Sequence, residues 1–168
     1  EYFGGGMWNR NGSSPTVLDC HFLENVAEYG AGLYNGDEYG VQSNPTVSSC
    51  LFEDNVAGES NCIGNCGDGV GGGMYNMSSN PTITDCQFIA NGAYFGGAIL
   101  NWESSNPLLT NCYFESNVAV NDGGGVYNSS SMPTFMNCIF SNNIADEGAG
   151  VFNADPSSSV NEPLFQHC

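Results

Sequence analysis

The chain has 168 residues, with 18 Asp plus Glu against a single Lys or Arg, for a formal net charge of −17. Phosphate backbones are held by basic side chains, so this balance excludes nucleic acid as a partner and disfavours anionic membrane surfaces. No apolar run approaches the ~20 residues of a membrane-spanning helix, so insertion of this segment into a bilayer is not expected.

Along the chain one phrase recurs six times. It opens at Gly4 (Gly4-Gly5-Gly6-Met7-Trp8-Asn9) and returns at Gly30, Gly71, Gly96, Gly123 and Gly148, each time as three small residues, an apolar residue, an aromatic or Leu, and Asn. Successive starts lie 26, 41, 25, 27 and 25 residues apart. The rest of the unit is equally regular. A polar turn leads to Pro15-Thr16-Val17 and its counterparts at Pro45, Pro81, Pro107, Pro133 and Pro163. Cysteine follows at Cys20, Cys50, Cys86, Cys112, Cys138 and Cys168. Then come Phe22, Phe52, Phe88, Phe114 and Phe140; next Asn25, Asn55, Asn91, Asn117 and Asn143; and last Ala27, Ala57, Ala93, Ala119 and Ala145.

The apolar pieces are two to five residues long, alternate internally and are separated by Gly, Asn, Ser and Pro. That pattern predicts short strands and tight turns, and the helical period is absent. A repeat near 25 residues with three such pieces predicts an all-β parallel β-helix of five to six coils and three strands per coil. Each coil would rise by the strand spacing of about 4.8 Å. The interior should hold columns of Val/Ile, Cys, Phe, Ala and Met/Leu/Val. The Asn column should mark a turn, because Asn tolerates left-handed backbone and its amide can bond the next Asn in the stack.

The repeated Gly-Gly-Ala-Ile (Gly96-Gly97-Ala98-Ile99) and Phe-x-x-Asn (22–25, 52–55, 88–91, 114–117, 140–143) resemble the paired signatures of the polymorphic outer-membrane protein repeats. The full phrase is also similar to right-handed parallel β-helix repeats of large secreted surface proteins. The resemblance covers nearly all of the chain. It implies right-handed coiling, an extracellular or cell-surface setting, and a role as an adhesin passenger or surface stalk. It implies no reaction, because one fold hosts many functions.

The single domain, 1–168, is expected to be an uncapped β-helix segment, either a window of a longer solenoid or a unit stacking into a filament. Its expected partners are further coils or copies of itself end to end, with a cell-surface or carbohydrate ligand as a further candidate. Three long loops, 36–44, 58–70 and 154–162, are where an adhesin would bind. In the inserted loop 58–70, Cys62 and Cys66 are expected to pair as a disulfide. The six column cysteines would have Cα atoms about 4.8 Å apart, but their side chains point the same way. Buried free thiols are therefore favoured over ladder disulfides.

No cofactor is required. The acidic turn before the glycines (Glu28, Glu59, Asp122, Asp146, Glu147) is read as a solvated edge, with calcium as the lesser alternative. Asn11, Asn76 and Asn128 begin glycosylation sequons, and Asn11 is the best candidate because the other two share the repeated Tyr-Asn position. Catalysis is not expected. Arg10 reads as a turn residue, Ser49 separates Asp19 from Asp85, and His21 has no guaranteed carboxylate partner. An ice-binding face is disfavoured because the Thr-x-Thr pattern is broken by Leu and Met.

Overall fold

A computed structural model describes residues 2–37, 39–58, 69–154 and 162–168. Among these the chain is all strand and turn, with four parallel sheets running along one axis. One six-stranded sheet collects the strands after the glycines, from Met7–Asn9 to Val151–Ala154. A second takes the Pro-Thr strands, from Thr16–Leu18 to Leu164–Gln166. A five-stranded sheet holds the Phe strands, from His21–Leu23 to Ile139–Ser141. A four-stranded sheet is made of the two-residue pieces Val26–Ala27, Val56–Ala57, Gly92–Ala93 and Val118–Ala119. No helix among the described residues is long and apolar enough to cross a membrane.

The all-β solenoid expected from the repeat is thus present, but with four strands per coil where three were expected. The stretch from Ala27 to Asn35 cannot run as one strand. The first residue of each triplet, such as Gly30 at φ 57° and Gly71 at φ 65°, sits in left-handed backbone and turns the chain between Val26–Ala27 and Leu33–Asn35. At the second triplet position the coils also come close: a Cβ on Gly72 would lie 2.4 Å from the Gly97 carbonyl oxygen.

Register follows the repeat. Val17, Val47, Ile83, Leu109, Phe135 and Phe165 pair in succession, and so do Phe22, Phe52, Phe88, Phe114 and Phe140. The Phe rings stack with centroids 4.7–5.0 Å apart and planes within 7°. With Leu33, Met74, Ile99, Val126 and the cysteines they form one continuous core. Each fully buried Phe contributes about 1.5–3 kcal/mol. A separate cluster lies on the outer face of the first sheet, where Tyr34, Tyr75 and Leu100 are covered by Phe3, Tyr29, Val70 and Phe95.

Candidate functional site

The Asn column forms the expected ladder. Asn25, Asn55, Asn91 and Asn117 each donate from Nδ2 to the next Oδ1, at 2.8–2.9 Å, ending on Asn143. Each of those Oδ1 atoms also accepts the backbone N–H of the Asn before it. The left-handed residue is not this Asn, however, but the one preceding it: Glu24, Asp54, Ala90, Ser116 and Asn142 all have φ of 53–55°. The corner bends one residue earlier, which leaves the Asn side chain facing inward to satisfy groups the corner exposes.

A second ladder was not anticipated. Asn9, Asn35, Asn76, Asn101, Asn128 and Asn153 are linked Nδ2 to Oδ1 at 2.8–2.9 Å. Their repetition in the opening phrase was the available signal. Asn76 and Asn128 are fully buried in it, whereas Asn11 is exposed.

The column cysteines are free thiols. Cys50, Cys86, Cys112 and Cys138 are buried, and each donates to a carbonyl two residues earlier and to another one coil away. Burial pushes the Cys86 thiol up to about 12. Cys112 is raised by its side-chain hydrogen bond with Cys138 and then by burial. Within that pair Cys138, whose thiolate the Cys112 bond favours, ionises first. Cys62 and Cys66 lie outside the described residues.

Asp37 was also missed. It is buried at the root of the loop after Asn35 and accepts backbone N–H groups from Asn11, Tyr39 and Val41 at 3.0–3.2 Å. Burial alone would raise its carboxyl, but those three N–H groups and Arg10 outweigh it and hold it below the ordinary value. Arg10 itself lies over the Trp8 ring, 4.6 Å from the centroid. His21 is exposed on its strand, and Ser49 lies one coil from each of Asp19 and Asp85.

The acidic turn brings Asp122 beside Glu147 and Asp146. Burial and then these two charges raise the Asp122 carboxyl. Among the described residues no three His, Cys, Asp or Glu side chains are grouped to hold a metal ion.

The outer face of the first sheet carries a groove of about 640 Å³, lined by Trp102, Glu103, Tyr127, Ser129, Phe152 and Asn153, among others. It arises from a step in one column, which runs Met77, Trp102, Ser129, Ala154. The indole forms a wall, and the smaller side chains beyond it leave the space. Tyr127 and Phe152 stack at 5.4 Å along one side.

A family model described as a right handed beta helix region matches residues 58–168, more than half of the chain. The chain belongs to that family. No curated protein and no solved structure matches it. The match establishes the β-helix expected from the repeats and is not specific to the polymorphic outer-membrane type. In this right-handed β-helix nearly every repeated residue is accounted for by closing and stacking the coils. The groove at Trp102 and the Asp37 loop are departures from the repeat.

Proposed function

We propose that this β-helix is a non-catalytic structural segment of an extracellular surface protein, a stalk or filament lengthened coil on coil. The observation that carries this reading is the unbroken register: core, amide and thiol columns each run from coil to coil through the whole stack. A further coil, from the same polypeptide or another copy, would continue each column. The acidic surface keeps such rods soluble and apart side by side.

Electron microscopy of the native material tests this. Unbranched fibres or stalks with an axial repeat near ~4.8 Å per coil are expected. Discrete globular particles that cleave a polysaccharide would refute it.

One observation favours adhesion as a second reading. The loop after Asn35 is fastened by Asp37 yet presents Tyr39 and Val41, 76% and 44% exposed, to solvent. Loss of surface attachment on shortening this loop, with fibre assembly unchanged, would select that reading over a plain stalk.

A further inference from the structure

The groove beside Trp102 contains a feature that coil stacking does not require. Between the ladder Asn and the next Pro, the neighbouring coils have four residues (77–80 and 129–132), whereas this coil has five (102–106). Met77, Trp102 and Ser129 pair at the strand end, and Ser79, Ser105 and Ser131 form one ladder, so the extra residue falls within Glu103–Ser104. The insertion gives this coil two successive left-handed residues, Glu103 at φ 53° and Ser104 at φ 64°, where the flanking coils have only Ser78 and Ser130. Non-glycine residues are held there at a cost, incurred here at two adjacent positions. Glu103, directly after Trp102, brings a carboxylate into the groove lined by an indole that is itself 37% exposed.

We propose that this groove binds a methylated organic ammonium group, with the exposed Trp102 indole supplying a ring face, the stacked Tyr127 and Phe152 an apolar side wall and Glu103 the counter-charge. Aromatic faces attract cations through their quadrupoles, and quaternary ammonium groups are the ligands best matched to rings with a nearby acid. Charge complementarity selects this occupant. The chain carries −17, its one Arg is in the first coil, and no lysine exists to compete for the groove. The acidic turn extends the same field, since Asp122 acts on the Tyr127 hydroxyl. An anionic ligand would meet the like charge of Glu103 and of the chain as a whole. The inference does not depend on the structural role proposed above.

Choline and its neutral carbon isostere, 3,3-dimethylbutan-1-ol, provide the test, with binding to the intact chain followed by NMR or calorimetry. Choline is expected to bind at least about tenfold more tightly than the isostere. Glu103→Gln and Trp102→Ala should each weaken it about threefold to tenfold, and raised salt should weaken it as well. Circular dichroism checks that each variant keeps its strand content. Equal binding of choline and the isostere, no binding of choline, or full affinity in Glu103→Gln would overturn the proposal. A neutral saccharide binding there in place of choline would overturn it too. Phosphocholine and phosphatidylcholine vesicles separate the sources of the group. Weaker binding than choline supports a free or amine-borne cation, and equal binding assigns the same ammonium group to a lipid.

Discussion

Replacing Asn91 with alanine tests the buried amide ladder at its centre. The Asn91 side chain is fully buried and makes four hydrogen bonds. It donates to Phe52 O and Asn117 Oδ1, both at 2.9 Å, and accepts from the backbone N and side-chain Nδ2 of Asn55 at 3.2 and 2.9 Å. Truncation removes all four. The Asn55 backbone N–H loses its acceptor, and one Asn55 amide hydrogen and the Phe52 carbonyl each lose a bond. A buried polar group left unsatisfied costs about 1–3 kcal/mol, so Asn91→Ala should destabilise the chain by roughly 3–5 kcal/mol. Urea denaturation followed by circular dichroism reads this as a lower midpoint at unchanged slope. Hydrogen exchange should show faster exchange at the Asn55 amide. Asn44→Ala serves as the comparison, because Asn44 is exposed and the Asn80 backbone N–H that its Oδ1 accepts can turn to water; a loss below about 1 kcal/mol is expected there. If Asn91→Ala lost less than about 1 kcal/mol, the ladder would not be a stabilising element and the reasoning would fail.

Ala90, at φ 53° on the surface, carries a Cβ in a conformation that disfavours one; Ala90→Gly should raise stability by about 0.5–1 kcal/mol, and a lower melting temperature would contradict this. Asp37 has a folded value below its ordinary 3.8, so its contribution is present above that pH and lost as pH falls through the folded value. Thermal melts between neutral pH and pH 2 should therefore show Asp37→Asn less stable than the parent at neutral pH, with the gap closing in acid; a constant gap would refute the linkage. In native chain, a thiol reagent should modify exposed Cys168 quickly and leave Cys50, Cys86 and Cys112 intact until denaturant is added, because burial both shields these thiols and disfavours their thiolates. Uniform modification of all these sites by mass spectrometry would sink that expectation.

The solenoid, the core columns and the first Asn ladder were legible because a repeat fixes register: residues at one phase must stack, whatever the details of each turn. Other features depended on geometry that residue type does not encode. The left-handed corner before each ladder Asn is occupied by Glu, Asp, Ala, Ser and Asn in turn, so no side-chain preference marks it. It is imposed by the need to bend the chain between two strands. The fourth strand was hidden because Val26–Ala27 is only two residues long and leads straight into a glycine turn. The second Asn ladder had a visible signal, six Asn at one phase, but each stands beside an aromatic residue whose packing accounts for the phrase equally well. Asp37 stands alone in the repeat, and only the loop that wraps over it shows what it does. The groove at Trp102 follows from the drop in side-chain size from Trp102 to Ser129 and Ala154 at one phase of the repeat, whose effect on shape requires the coils to be built.

Both amide ladders point the same way. Every Asn-to-Asn bond runs from the Nδ2 of one coil to the Oδ1 of the next, from Asn9 through to Asn153 and from Asn25 to Asn143. The rod therefore carries an arrow through its interior, written in side chains and independent of the direction of its backbone. A joint made with that arrow continues the donor-to-acceptor sequence across the seam. A joint made against it would oppose donor to donor or acceptor to acceptor, in a place where water cannot intervene. Two buried threads of amides thus act as a one-way thread gauge, and any assembly built on these coils inherits a front and a back.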